Sequence, residues 1–326
     1  MPIQPVVKYP PFNVVRASHV EYAVTDLARS RAYWVDALGF IATEQTGDAL
    51  YLRGLEECNH HSVVLRQGDV PVVNRLGFKV FDEDDLDRAA HWFAQQGLPA
   101  AWAEVPHQGR TLQATDPLGM PLEFYHAMDQ TERLLQHYGA YCGTHPQRID
   151  HINCFTPDVQ ASHDFYASLG FRTSEYTATE GTEQLWAVWM HRKGSTHDLA
   201  FTNGRGPRLH HIGIWVASIT NIIHVCDVLS TTGWLPSLER GPGRHGISNA
   251  FFLYLRDPDG HRIELFNSDY LTVDPDFKPI RWDLKDPRRQ TLWGAPAPKT
   301  WFEEGSVFAG QAVRAPLLEA QPIVAP

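Results

Sequence analysis

The sequence predicts an α+β protein of four βαβββ modules. The modules pair into two domains of curved, barrel-like mixed sheet and are followed by a C-terminal extension. Three observations predict this: one pattern recurs four times at about fifty to sixty residues, its strands alternate apolar and polar residues, and its turns carry Asp-Pro-x-Gly.

The first copy opens with HVEYAVTDL (His19–Leu27) and ARSRAYWVDALGF, the third with HINCFTPDV (His151–Val159) and QASHDFYASLGF. In both, an alternating strand leads into an Asp-started helix that ends at Leu-Gly-Phe, where Gly39 and Gly170 suit a helix C-terminus. The same two copies share a later strand, HSVVLRQG (His61–Gly68) against HDLAFTNG (His197–Gly204). Copies two and four share NRLGFKV (Asn74–Val80) against HHIGIWV (His210–Val216), and DPLGMPLEF (Asp116–Phe124) against DPDGHRIELF (Asp257–Phe266). The helices are amphipathic, as in DDLDRAAHWFAQQ (Asp84–Gln96) and over Asn221–Leu229. Proline presets φ and glycine accepts positive φ in the two turn sequences.

Two modules side by side give a strongly curved eight-stranded sheet around a cavity, so the expected organisation is a first domain over 1–130, a partly helical connector over 131–148, a second domain over 149–269 and an extension over 270–326. The extension is rich in Pro, Trp and Gly and is expected to pack over the second domain, with its last dozen residues mobile.

Composition removes several function classes. A net charge of −10 without a basic run argues against a nucleic-acid or membrane-surface role. No apolar stretch is long enough to span a bilayer, and the N-terminus lacks the pattern of a signal peptide. Cys58, Cys142, Cys154 and Cys226 are scattered and form no CxxC pair. A cytoplasmic protein is the expectation.

Comparing the halves separates chemistry from scaffold. His151 has its counterpart in His19, and Glu264 in Glu123, each glutamate seven residues after its turn aspartate. His211, however, stands opposite Arg75, and a guanidinium cannot ligate a metal. The second half therefore holds the set His151, His211 and Glu264. Two imidazoles and a carboxylate form a facial triad, which leaves open positions on a non-haem Fe(II) for a substrate and O2. A histidine at a strand start is usually structural, so the weight rests on all three falling at equivalent repeat positions. On a regular strand His210 and His211 point to opposite faces, so one of them enters the cavity, and the alternation His211–Gly213–Trp215 favours His211. Tyr254 reads equally as a hydrogen-bonding partner of a substrate and as a cavity-lining residue with its hydroxyl on water. The loop Gly241–Gly246, with Arg240, Arg244 and His245, is positively charged and suits an anion clamp if it lies beside the cavity.

Several segments resemble the type I extradiol ring-cleaving dioxygenases of the vicinal oxygen chelate superfamily, and within them the homoprotocatechuate (3,4-dihydroxyphenylacetate) 2,3-dioxygenase group. They are AVWMHRK (Ala187–Lys193), STHDLAFTNGRGPRLHH (Ser195–His211), RGPGRHGISNAFFLYLRDPDGHRIEL (Arg240–Leu265) and YLTVDPDFKPIRWD (Tyr270–Asp283), with EYAVTDLARSRAYWVDALGF and YLRGLEECNHHSVVLRQG in the first half. The resemblance implies His151, His211 and Glu264 as ligands of Fe(II), or of Mn(II), and supports His211 over His210. It implies His197 as acid/base, Tyr254 and Asn153 as hydrogen-bonding neighbours, and Trp189 in the pocket wall. It also implies a catecholic substrate cleaved with O2, a homotetramer, and a substrate carboxylate held by Arg240, His245 and an arginine of the extension. At that last position this sequence departs, placing Gln290 there with Arg289 one residue before it. Two rivals on the same fold are a glyoxalase-like metal isomerase, which needs a second glutamate where His211 stands, and a non-enzymatic binding protein, which has no need of the three residues together.

Overall fold

A computed structural model describes residues 2–319. The chain begins with β1 (Val14–Val24), a helix α1 (Leu27–Arg31) continued by a π-type turn over Ala32–Ala37, then β2 (Ile41–Gln45), β3 (Ala49–Arg53) and β4 (Val63–Gln67). The second module runs β5 (Val72–Val80), α2 (Asp84–Gln95), β6 (Ala100–Ala103), β7 (Thr111–Thr115) and β8 (Pro121–Tyr125). The third follows as β9 (Pro146–Thr156), α3 (Val159–Ser168), β10 (Arg172–Ala178), β11 (Leu185–His191) and β12 (Leu199–Asn203). The fourth is β13 (Arg208–Val216), α4 (Ile219–Thr231), β14 (Leu238–Arg244), β15 (Phe251–Arg256) and β16 (Arg262–Asn267). The expected connector holds a single 3-10 turn at Tyr138–Ala140, and β9 begins inside it.

Local chemistry accounts for these elements. Asp26 and Asp158 cap α1 and α3 by accepting from the amides of Arg29 and Ala161, both at 2.9 Å. Gly39 and Gly170 end those helical segments at φ 87° and 83°, where a side chain would be strained. Asp116 and Asp257 fold their turns by accepting backbone amides of the residues two and four positions on. Both aspartates also tie the halves together: Trp34 Nε1 donates to Asp257 at 3.3 Å, and Tyr166 Oη donates to Asp116 at 3.3 Å.

The first sheet has the order β2-β3-β4-β1-β5-β8-β7-β6, an open curved path rather than a closed barrel. Its two modules join through the antiparallel pair β1–β5. The second sheet repeats this around β9–β13, but has ten strands, not eight. The extension supplies the difference: β17 (Ile280–Asp283) pairs with β10, and β18 (Ser306–Val307) pairs with β13. One apolar cluster, from Phe12 and Trp34 to Ile263 and Leu265, runs through both halves. Of the dozen C-terminal residues expected to be mobile, 320–326 lie outside the described residues. In the part that is described, Leu317 N–H donates to Pro157 O at 2.8 Å.

Candidate metal centre

Three adjacent strands bring the site together. His151 on β9 lies opposite Gly213 on β13, and Gly213 lies beside Glu264 on β16. A Cβ on Gly213 would stand 2.0 Å from the His151 ring, so the glycine is what lets that imidazole cross β13 towards Glu264. His151 Nε2 and His211 Nε2 approach Glu264 Oε2 at 2.9 and 3.1 Å and each other at 3.3 Å. All three side chains are at least 96 % buried.

Two of the three register shifts in the β9–β13 ladder aim the imidazoles. One falls between Leu209 and His211, the other between Gly213 and Ile214, opposite Asp150. The first corrects the expectation that His210 and His211 point to opposite faces. The extra residue brings both side chains to the same cavity, with their Nδ1 atoms 2.6 Å apart. The carbonyl of Trp301, 2.9 Å from His210 Nε2, can only accept, which puts the His210 proton on Nε2. His210 Nδ1 then accepts from His211 Nδ1, and the His211 lone pair is left on Nε2, facing the carboxylate. Asp150 takes the same part for His151, with Oδ2 at 3.3 Å from Nδ1.

The electrostatics call for positive charge at this point. Burial pulls the His151 imidazole down, yet the Asp150 and Glu264 carboxylates more than offset it and raise its pKa. Burial pushes His211 down to about 4 against the pull of Glu264. Burial also opposes ionisation of Glu264, but the two imidazoles outweigh it and hold the carboxyl well below its usual range. Two nitrogen lone pairs and a carboxylate converging in a dry place, with no thiolate among the donors, suit a divalent iron or manganese ion.

A cavity of about 490 Å³ opens on the triad and is lined by Asn153, Trp189, His197, Arg240, His245, Tyr254 and Arg289. The His197 ring lies 4.0 Å from that of His151, and burial, then His151 and Lys193, drive its pKa well below 6.5, so it is neutral. Tyr254 Oη donates its one proton to Glu264 Oε1 at 2.7 Å, so a protein carboxylate takes the place of water, and His245 Nε2 lies 2.9 Å away as a neighbour. Asn153 presents an Oδ1 without a hydrogen-bond partner among the described residues, and Trp189 forms wall beside Trp186 and Ile247.

Arg240 is 98 % buried; its Nη2 donates to Gln290 O and Thr291 Oγ1, while Nε and Nη1 have no hydrogen-bond partner among the described residues. Arg289 is buried on the same wall, its guanidinium 5.3 Å from the centre of the Trp186 ring. Gln290 contributes its backbone carbonyl to Arg240 and His245. His245 does not carry the positive charge read from the loop. Burial and the neighbouring Arg240 push it down to about 3, and its Nδ1 donates to Gln290 O. Arg244 also differs from that reading, since it lies outside the cavity over Phe251. His210, Asp150 and Trp301 are site residues that the sequence reading missed. The row His19–Gly77–Glu123 was the available signal for the glycine, but Trp301 lies beyond the repeats and had no internal counterpart.

A model of the "Glyoxalase/Bleomycin resistance protein/Dioxygenase superfamily" matches residues 16–124 and 148–265. The chain belongs to that superfamily, as an extradiol ring-cleaving dioxygenase. Among solved structures, homoprotocatechuate 2,3-dioxygenase from Arthrobacter globiformis is 39% identical with a TM-score of 0.91, covering 95% of this chain and 99% of that one. An extradiol ring-cleaving dioxygenase from B. fuscum is 38% identical with a TM-score of 0.93, covering 97% and 90%. A manganese-dependent 2,3-dihydroxybiphenyl 1,2-dioxygenase from Geobacillus genomosp. 3 is 29% identical over 88% of this chain and 96% of its own length. Such dioxygenases work through a catalytic metal ion, and His151, His211 and Glu264 form a buried group of donors able to hold one.

Proposed function

We propose that this dioxygenase opens a catechol bearing a short acidic side chain, 3,4-dihydroxyphenylacetate or a close relative, beside its diol, with Fe(II) held by His151, His211 and Glu264. Manganese is the alternative ion for the same donors. The iron supplies an electron path between a bound diol and O2. The chain's own residues do the rest. Neutral His197, beside the triad, takes a proton from a substrate hydroxyl and returns it as the ring opens. Tyr254 and Asn153 orient the substrate oxygens, and the walls of Trp186, Trp189 and Ile247 keep water out.

The observation that carries the acidic side chain is Arg240, a buried guanidinium at the cavity wall whose Nε and Nη1 have no hydrogen-bond partner among the described residues. Leaving such donors unpaired is costly, and a carboxylate meets the need. Arg289 stands on the same wall and adds a second positive charge, which offsets the glutamine at position 290. His245 contributes shape to the wall beside Tyr254 rather than charge. A cytoplasmic homotetramer belongs to the same proposal, and light scattering on the purified protein tests its assembly; no described helix is long and apolar enough to cross a membrane.

The test compares kcat/KM for 3,4-dihydroxyphenylacetate and 4-methylcatechol in wild type and Arg240→Ala. A charge-assisted hydrogen bond contributes roughly 1.5–3 kcal/mol, so the acidic catechol should lose about ten- to a hundredfold in the variant. The neutral catechol should lose little. Preference of the wild type for 4-methylcatechol, or equal losses for both, rejects the carboxylate clamp.

A further inference from the structure

We propose that Glu44, His60 and His107 form a second divalent-cation site, of the zinc class, that clasps the two edges of the N-terminal sheet. Among the described residues, this is the one other place besides the triad where three such donors converge. Glu44 sits on β2, at one end of the strand order, and His107 sits in the loop between β6 and β7, at the other end. His60 precedes β4. Curvature of the sheet brings these distant segments to one point. His107 Nε2 lies 3.1 Å from Glu44 Oε2 and His60 Nε2 3.4 Å from the same oxygen. The two rings stack at 3.7 Å with an 8° tilt, so both nitrogens face the carboxylate side by side.

The outer nitrogens are already engaged. His107 Nδ1 lies 3.1 Å from Asp129 Oδ2, an arrangement that keeps the proton on Nδ1 and leaves the Nε2 lone pair inward. His60 Nδ1 lies 3.2 Å from His61 Nδ1 and can donate to it, with the same result. Two inward lone pairs beside a carboxylate oxygen repel one another unless a cation lies between them. Imidazole and carboxylate donors without thiolate suit Zn(II), Ni(II) or Co(II), and the part-exposed Glu44 and His107 leave room for a water ligand.

The other half shows what the position is for. Glu44 and Glu175 each stand four residues after the phenylalanine that follows the helix-ending glycine, Phe40 and Phe171. Glu175 spans the mouth of its own sheet, accepting from Ser248 N at 2.6 Å, Tyr270 Oη and Trp282 Nε1. Ser248 lies between β14 and β15, as His107 lies between β6 and β7. The C-terminal half closes its mouth with protein donors, whereas Glu44 meets only the two imidazoles among the described residues.

Zinc(II) and cobalt(II) alone are the probes, added to iron-loaded full-length protein and followed by elemental analysis after gel filtration. The Glu264→Gln variant, with its triad disabled, serves in parallel so that metal entering the triad is not miscounted. We expect one tightly held zinc per chain in both, and visible absorption from cobalt bound to imidazole. His107→Ala and the milder Glu44→Gln should weaken that zinc at least about tenfold and abolish the rise in Tm that zinc gives the wild type. Turnover per iron should be unchanged in His107→Ala. Zinc binding and Tm that are the same in wild type, His107→Ala and Glu44→Gln overturn the proposal, as does the absence of zinc from Glu264→Gln. Neither result touches the catalytic reading, which stands on iron at the triad.

Discussion

The two halves carry the same row of residues and use it differently. In the N-terminal half His19, Gly77 and Glu123 line up as His151, Gly213 and Glu264 do in the other, and a Cβ on Gly77 would meet the His19 ring at 2.1 Å. His19 Nε2 reaches Glu123 at 3.0 Å. There the likeness ends. Arg75 occupies the place of His211 and donates to Gln113 Oε1 at 3.2 Å, while Gln108 and Gln113 donate to Glu123 at 2.7 and 2.9 Å. Burial opposes ionisation of Glu123, but His19 and the two glutamines hold its pKa at about 2. A carboxylate whose lone pairs are met by amides has no need of a cation. The row is therefore common to both halves, and what differs between them is position 211 and the residues around the carboxylate.

The pair His197 and His61 breaks the comparison most sharply, because the two residues occupy equivalent places. His197→Phe should keep its iron and lose about a hundred- to ten-thousandfold in kcat, the range for a lost acid/base. His61→Phe should leave turnover per iron unchanged. Loss of iron from His197→Phe, or unchanged turnover, shows that His197 has another role.

The two glycines give a smaller, paired effect. Gly213→Ala drives a methyl into the His151 ring and should release metal in dialysis, with activity recovering only at high added iron. Gly77→Ala makes the same clash with His19 and should cost about 1–3 kcal/mol in urea denaturation, as overpacking does, with turnover per iron intact. Equal metal loss in both would mean that the N-terminal half also supports the catalytic metal. The smallest expected change is in Arg75→His. It restores a second imidazole to the N-terminal half, yet iron per chain should stay at one, since Gln108 and Gln113 still occupy Glu123. Two irons per chain would show that the arginine alone silences that site.

Much of this was legible in the sequence because the chain repeats itself. The βαβββ modules, the caps at Asp26 and Asp158 and the turns at Asp116 and Asp257 all rest on local chemistry that a repeat displays twice. The convergence of His151, His211 and Glu264 was legible for the same reason. What escaped is non-local. The bulge that turns His210 into the cavity depends on strand pairing, and strict alternation along β13 hides it. The neutral state of His245 comes from burial and from Arg240, which a charge count over Arg240–Gly246 cannot register. The two extra strands of the second sheet come from a segment with little periodicity of its own.

The central claim is that one metal per chain, at His151, His211 and Glu264, carries the ring cleavage. The direct measurement is iron content and oxygen uptake with 3,4-dihydroxyphenylacetate, taken together on wild type and Glu264→Gln. The account predicts one iron per chain and rapid uptake in the wild type, and loss of both in Glu264→Gln, where the charge offsetting the cation is gone. Iron and uptake retained at wild-type level in that variant would contradict it.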